Sequence, residues 1–367
     1  MLYVRKNVSL HINYVQKNVF NGHFYVQKNV NSTMERLVLQ QLKEWKERKD
    51  RKPLIVNGAR QVGKTWALRE FAKREYAKEA YIICRKNELV EQVFKQDFNV
   101  ERILLSLSAI IHVDITPGDT LIILDEVQEI PEAIEALKYF CENAPEYHIA
   151  VAGSLLGLSL HHDVSYPVGK VNEIDMYPMS YGEFLLAKGE KQCYQLLEEH
   201  NFEITNLLHE KYVDLLRQYY YVGGMPEAVK KYVETGALKE VRRIQKEILK
   251  GYERDFSKHS PKEQIERIKM VWKSIPSQLF KDNKKFIYGA LRQGARAKDF
   301  EIAIEWLVDS GLLYKVPRCT KPALPLDIYE DFSVFKLYLL DIGLLGAMVN
   351  VDPAQILINN QIFSEYK

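Results

Sequence analysis

The sequence predicts an α/β fold: a parallel sheet flanked by helices, followed by a helical segment and a winged-helix-like domain. Three observations carry this expectation. Short apolar runs alternate with helix-like segments from Pro53 to Ala152, the pattern of a sheet covered on both faces. The first of these runs leads directly into a Gly-rich loop. After about Phe184 the strand signals fade and long amphipathic segments take over.

Taken in order, Val38, Leu42 and Trp45 mark one face of a helix that ends in the polar run Lys46 to Lys52. Pro53 starts a short apolar strand, Leu54-Ile-Val56, and the loop follows. Further strand-like runs stand at Tyr81 to Cys84, Leu121 to Leu124 and Ile149 to Ala152, and Pro131 to Phe140 reads as a helix between two of them. In the second half Gly223-Gly224 and Pro226 break the helical pattern once. Ile265, Ile268, Trp272 and Ile275 form another stripe, expected to stop at Pro276. The stretch to Gly311 then predicts two more helices, and Leu312 to Val316 a strand. Three helices and a strand suggest a winged helix-turn-helix, or else a generic helical domain. The expected units are 1–33, a repetitive extension outside the fold; 34–185, the sheet domain; 186–256, helical; 257–350, winged-helix-like; and 351–367, a tail.

Composition narrows the class. The 367 residues are 47% hydrophobic, with 51 Lys and Arg against 49 Asp and Glu, which excludes a disordered chain or a disulfide scaffold. No apolar run approaches the roughly 20 residues that cross a bilayer, and the N-terminus does not read as a signal peptide. Cys84, Cys141, Cys193 and Cys319 lack metal or redox spacing and are expected to be buried thiols of a cytoplasmic protein.

The first 33 residues hold three copies of a motif at a period of 11: Tyr3-Val-Arg-Lys-Asn-Val8, Tyr14-Val-Gln-Lys-Asn-Val19 and Tyr25-Val-Gln-Lys-Asn-Val30. Three short copies cannot bury a core. The preferred reading is a translated repetitive leader ahead of a start at Met34. The alternative is a nucleic-acid-binding arm, because Arg5, Lys6, Lys17 and Lys28 stand there with no acidic residue. Without that segment the chain is slightly acidic.

The strongest signal is Gly58-Ala59-Arg60-Gln61-Val62-Gly63-Lys64-Thr65, which fits G-x-x-x-x-G-K-[ST] directly after a strand. The glycines let the backbone wrap phosphates, and the helix that follows from Trp66 onward aims its positive end at them. Lys64 is expected to reach the β- and γ-phosphates, and the Thr65 hydroxyl to bind Mg²⁺. The partner motif is Leu121-Ile-Ile-Leu124-Asp125-Glu126, an apolar strand ending in two carboxylates. Asp125 is placed to hold Mg²⁺ as a Walker-B aspartate does, and Glu126 to act as general base on the attacking water. Alone, such an acid pair would read as solvated surface; with the loop it reads as functional. The strand Ile149 to Ala152 ends in Gly153-Ser154, and Ser154 is the expected polar sensor of the γ-phosphate. Gln128 is a further candidate, with helix capping as the alternative.

These motifs, together with Leu124-Asp-Glu-Val-Gln128, Ala152-Gly-Ser-Leu-Leu156, Tyr166-Pro-Val-Gly-Lys170 and Tyr177-Pro-Met-Ser-Tyr-Gly-Glu-Phe184, resemble the bacterial and archaeal AAA-type P-loop ATPases with a C-terminal domain of unknown function. Tyr221-Val-Gly-Gly-Met-Pro-Glu227 and Phe335-Lys-Leu-Tyr-Leu-Leu-Asp-Ile-Gly-Leu-Leu345 match the second half. The resemblance runs from Met34 to about Met348. It implies binding of ATP and Mg²⁺, with Lys64, Thr65, Asp125 and Glu126 in the roles above, and a helical segment before a winged-helix module. Many such relatives continue into a nuclease-like region; this sequence reaches Lys367 where that region would begin, so nuclease activity is not expected.

For charge on the γ-phosphate no arginine can be assigned: Arg60 lies in the loop itself, while Arg242, Arg243 and Arg254 could act in cis or across a subunit interface but read better as solvated helix faces, and Lys170 is a secondary candidate. Residues 281–298 hold Lys281, Lys284, Lys285, Arg292, Arg296 and Lys298 against Asp282, with Phe286 and Tyr288 interleaved. This stretch would include a recognition helix and contact DNA phosphates, or form a basic exposed face. His161-His162-Asp163 lacks a third metal ligand nearby and reads as loop. Two functions are carried forward: an ATP hydrolase coupling nucleotide state to domain movement, and a non-hydrolysing ATP-dependent switch or scaffold. Glu126 separates them, since a switch would not need it. An oligomer or protein partner fits either.

Overall fold

The computed structural model describes residues 34–153, 166–281 and 285–354. The N-terminal repeats, Ser154, His161-His162-Asp163, Asp282, Lys284 and the tail from residue 355 lie outside the described residues.

A first helix, α1 (Val38–Glu47), buries Val38, Leu39, Leu42 and Trp45, and the Trp45 indole N–H donates to the Lys52 carbonyl at 2.9 Å, closing the polar connection to the sheet. Five parallel strands follow: β1 (Leu54–Gly58), β2 (Lys78–Ile83), β3 (Thr120–Asp125), β4 (His148–Ala152) and β5 (Asn172–Met176), in spatial order β2-β3-β4-β1-β5. The helices between them are α2 (Lys64–Glu75), α3 (Glu88–Gln96), α4 (Val100–Ile111) and α5 (Pro131–Asn143).

Side chains alternate across a strand, so each central strand feeds two cores. Leu54, Val56, Leu121, Ile123, Ala150 and Ala152 face α1 and α2. Ile55, Ile122, Leu124, Ile149 and Val151 face α3, α4 and α5. Burial on both faces is why these strands read as continuous apolar runs. The edge strand β5, which the sequence did not reveal, pairs among the described residues only with β1 and alternates Asn172, Glu173, Ile174 and Asp175 between half-buried and exposed.

Beyond the sheet, α6 (Tyr181–Ala187) opens on a capping box, with Glu183 N–H on Ser180 Oγ and Ser180 N–H on Glu183 Oε2. Then come α7 (Lys191–Glu198), α8 (Phe202–Leu207), α9 (His209–Val222), α10 (Pro226–Thr235) and the 22-residue α11 (Leu238–His259). The C-terminal part contains α12 (Ile265–Leu279), α13 (Ala297–Asp309), an antiparallel pair β6 (Leu313–Cys319) and β7 (Glu330–Leu339), and α14 (Ile342–Met348).

Three expectations are corrected here. Pro276 does not stop its helix, which runs on to Leu279; it sits in the last turn, where one backbone bond is lost and the Phe280 N–H still reaches the Pro276 carbonyl at 3.0 Å. Between Pro276 and Gly311 the described residues hold one α-helix, α13, and a short 3₁₀ turn instead of two helices. Before that turn Phe286 and Ile287 are pinned: the Phe286 N–H donates to the Phe335 carbonyl at 2.9 Å, and Gln278 bonds the Ile287 N–H and carbonyl at 3.1 and 3.0 Å. The cysteines are free but not all buried; Cys84 and Cys193 are, Cys141 is half-buried and Cys319 is exposed on the hairpin, its thiol directed at the Lys321 carbonyl.

A single apolar cluster runs from the α2 face of the sheet into the C-terminal part. Along α11, Val241, Ile244, Ile248, Tyr252 and Phe256 bridge it, and Phe256 stands edge-on to both Trp272 and Trp306 at 5.4 and 5.7 Å. A polar junction lies beside it. The buried Asp341 carboxylate accepts from the Gly224 N–H at 2.5 Å and the Leu344 N–H at 2.8 Å, while the Met179 N–H donates to the Gly224 carbonyl at 2.6 Å. Gly224 is required by this close approach, since a Cβ there would lie 2.0 Å from the Met179 carbonyl oxygen.

Candidate nucleotide-binding site

The loop after β1 and the end of β3 share the C-terminal edge of the sheet, separated by β4. Gly58 turns the chain at φ 147°, where a Cβ would strike the Met176 carbonyl oxygen at 2.3 Å, and Gly63 enters α2 at φ 96°. Ala59 and Val62 are buried, Gln61 is exposed at φ 66°, and Trp66 stands exposed on the first turn of α2 beside Arg69. Gly63 has no side chain to cap α2, which leaves its first amides directed at the loop.

Lys64 folds over the loop and donates from Nζ to the Gly58 and Ala59 carbonyls at 2.8 and 2.9 Å. Burial pushes its pKa down to about 8, against the opposing pull of the Glu126 and Asp125 carboxylates. Thr65 Oγ1 donates to Asp125 Oδ2 at 2.9 Å, joining positions 60 residues apart. The Tyr81 hydroxyl donates to the same oxygen at 2.8 Å, and the Glu126 N–H reaches Asp125 Oδ1 at 3.1 Å. Glu126 itself adopts a left-handed backbone, φ 54°, and its Oε2 accepts from Gln128 Nε2 at 2.5 Å. Gln128 is thus engaged with Glu126. Burial drives the neighbouring Cys84 thiol up to about 12, so it stays protonated.

Two flanking elements clasp the loop. On one side Arg36, buried, donates to Glu183 Oε1 at 2.9 Å, the Val62 carbonyl at 2.8 Å and the Tyr177 carbonyl at 2.9 Å. On the other, α11 supplies Tyr252, whose hydroxyl donates to the Arg60 carbonyl at 2.9 Å, and Asp255, which accepts from Arg60 Nη1 at 2.6 and 2.7 Å. Arg36, Tyr252, Asp255 and Asp341 were not found from sequence. The spacing Ser180-Tyr-Gly-Glu183 carried a signal for a helix start, but nothing local marks Glu183 as the partner of Arg36.

The structure gathers Gly58 to Thr65, Asp125 and Glu126 at one edge. It does not bring Lys170 there: its Nζ pairs with Glu142 at 2.8 Å, at the opposite edge where β4 and β5 begin. Arg242 lies over the Tyr221 ring and donates to the Gly343 and Val351 carbonyls; Arg243 pairs with Glu240 and Glu247 on an exposed face; Arg254 is exposed. In the basic stretch Lys281, Arg292, Arg296 and Lys298 are exposed. Phe286, by contrast, is buried and stacked on Phe335 at 5.5 Å, with Tyr288 edge-on to it, so these aromatics serve the core and not an external surface.

Comparison with known proteins agrees with this geometry. Residues 50–185 match the AAA domain family, and residues 213–355 match a domain of unknown function, DUF8612. No curated protein matches the sequence. Among solved structures, a Walker-type ATPase of Pyrococcus abyssi superposes with a TM-score of 0.54 at 14% identity, covering 86% of this chain and 96% of its own. The Aeropyrum pernix ORC2 protein in ADPNP–ADP complexes gives a TM-score of 0.37 at 12% identity, over 92% and 98% of the two chains. The ORC1 protein of the same organism in complex with DNA gives 0.32 at 13%, over 89% and 95%. The first of these establishes the fold, and the other two add nothing to it. Residues 50–185 are therefore an AAA-type P-loop ATPase domain, followed by a separate C-terminal domain of a family whose function is unknown.

Proposed function

We propose that the chain binds ATP with Mg²⁺ at the loop of Gly58 to Thr65 and hydrolyses it, nucleotide state shifting the helical segment 186–256 and the module 257–350 against the sheet. The observation that carries this reading is the Thr65 to Asp125 contact at 2.9 Å. A hydroxyl and a carboxylate facing each other beside a half-buried lysine suit a small hard cation, which keeps most of its waters and takes few protein ligands. Thr65 and Asp125 would hold Mg²⁺, which would neutralise charge on the phosphate oxygens. Lys64 would exchange its two loop carbonyls for phosphate oxygens, and the open amides of α2 would bind the same anion. Glu126 would take the proton of the attacking water through its carboxylate, with Gln128 fixing one of its oxygens. Ser154 is assigned to the γ-phosphate on its sequence position after β4.

ATPase and nucleotide-binding assays on the wild type, Lys64→Ala and Glu126→Gln test this. Lys64→Ala should lose binding; Glu126→Gln should bind ATP and turn over at least ~100-fold more slowly. Hydrolysis unchanged in Glu126→Gln defeats the assigned base. The second reading, a switch without turnover, draws support from the 2.5 Å bond that occupies Glu126; tight ATP binding with no hydrolysis by the wild type would establish it.

We further propose that the module of α12, α13 and the β6–β7 pair is winged-helix-like and contacts duplex DNA through the basic stretch 281–298, although its described residues before Ala297 form a 3₁₀ turn and no α-helix, so the expected recognition helix is not found there. Binding should fall steeply with salt. Affinity unaffected by replacing Lys284, Lys285 and Arg292 rules out this surface.

A further inference from the structure

The loop carries a guanidinium that the reading above leaves without a task. Arg60 is bound at both its ends by one helix: its carbonyl accepts from Tyr252, and its side chain grips both carboxylate oxygens of Asp255. Tyr252 and Asp255 stand three residues apart on one face of α11, so a single turn of helix holds the loop. Asp255 is buried, while the Arg60 side chain keeps 39% of its exposure. Burial works against the charge on Arg60, but the bonds to Asp255, the charge of Asp255 and the more distant charge of Glu126 hold its pKa above the usual arginine value. Arg60 in turn depresses Lys64. Arg60 follows Ala59, whose carbonyl holds Lys64 Nζ at 2.9 Å, so its guanidinium is carried by the same turn of loop as the lysine that would meet a terminal phosphate.

We propose, building on the ATP-hydrolysis reading, that Arg60 is a catalytic residue supplied in cis, held on Asp255 in the empty and ADP-bound loop and passed to the γ-phosphate when ATP binds. In the reaction the water oxygen bonds to the γ-phosphorus and the bond to the bridging oxygen breaks, its electron pair leaving on ADP. The water proton goes to Glu126. Arg60 neutralises charge on the equatorial phosphate oxygens, where it is worth most. Asp255 acts as the positioning residue. The exchange follows from charge: ATP brings a phosphate group that ADP lacks, and that group both attracts Arg60 and repels the buried carboxylate, so the two nucleotides weight the two positions of Arg60 differently. When Arg60 leaves, α11 loses one of its two ties to the loop.

Steady-state ATPase kinetics, combined with displacement of a fluorescent ADP analogue by ATP and by ADP, test this on the full chain, with thermal melts confirming that each variant is folded. Arg60→Ala should lower kcat by ~100-fold or more while ADP affinity stays within about threefold. Arg60→Lys should recover only part of the rate, since it restores charge without the planar fork. Asp255→Asn should raise the affinity for ATP relative to ADP by at least about threefold, because Arg60 no longer has to be taken from a carboxylate. The double variant should show the kcat of Arg60→Ala and lose the gain in ATP-over-ADP affinity that Asp255→Asn shows alone. Wild-type kcat in Arg60→Ala overturns the proposal, and so does an Asp255→Asn variant in which both affinities change equally. The Arg60→Ala kinetics decide alone should Asp255→Asn prove unstable. Hydrolysis that needs Lys64 but ignores Arg60 overturns this inference and leaves the broader reading standing; no hydrolysis by the wild type overturns both.

Discussion

Replacing Arg36 by alanine should destabilise the whole chain by about 3–5 kcal/mol, the cost of removing one partner from a buried ion pair. Both Arg36 and Glu183 are buried, at 5% and 6% exposure. Without the guanidinium, Glu183 keeps the amide bonds from Leu37 and Ser180, each 2.9 Å, but loses its cation. The Val62 and Tyr177 carbonyls lose their side-chain donor at the same time. Against a total stability of about 5–15 kcal/mol this is a large share. Urea unfolding followed by circular dichroism would read it, with ATP titrated at denaturant-free conditions where the variant is still folded. Because Val62 belongs to the loop, nucleotide affinity of the folded fraction should fall too. Replacing both partners with methionine should cost less than the sum of the single changes, with a coupling of about 1.5 kcal/mol or more. A loss under 1 kcal/mol in Arg36→Ala would mean that water takes the guanidinium's place, and the argument from uncompensated buried charge would be wrong.

Two further outcomes concern pH. Phosphate favours charged Lys64, whose pKa burial pushes down to about 8; nucleotide binding should therefore take up a proton near and above pH 8, and affinity should fall by up to about tenfold per pH unit beyond it. Calorimetry in buffers of different ionisation enthalpy measures that uptake, and none at pH 8.5 would contradict it. Burial raises Asp341 to about 6 despite its backbone donors, so the folded chain binds its proton more tightly than the unfolded one. The stability this contributes is full below about pH 4 and is lost as pH rises through 6, to a total of about 3 kcal/mol. Comparing the pH dependence of wild-type stability with that of Asp341→Asn isolates the effect, and parallel curves would refute it.

Much of the sheet could be read from sequence because strands buried on both faces are apolar throughout, and the loop and the acid pair announce themselves by fixed spacing. What escaped has a common physical origin. β5 is half-solvated and polar, so neither run nor alternation marks it. Arg36, Asp255 and Asp341 act across 147, 195 and 117 residues, a separation at which one chain carries no local pattern. Pro276 misled because a proline in a final turn removes only one bond and there fills the core. Phe286 suggested a nucleic-acid surface by its basic neighbours, yet its ring stacks inward on Phe335.

The apolar cluster shared by the sheet and α11 also bears on the motion that the proposed nucleotide cycle would have to make. A hinge that lifted α11 from the loop would expose Tyr252, Phe256 and the face of Trp272 to water, at about 25 cal/mol per Å² uncovered. Sliding keeps those rings covered while the polar ties at Arg60 are remade. Shear, by an ångström or two along the helix, would thus cost less than a hinge, and it would be felt at Trp272 and Trp306 and, through the shared cluster, at Leu313, Phe335 and Leu337 of the β6–β7 pair.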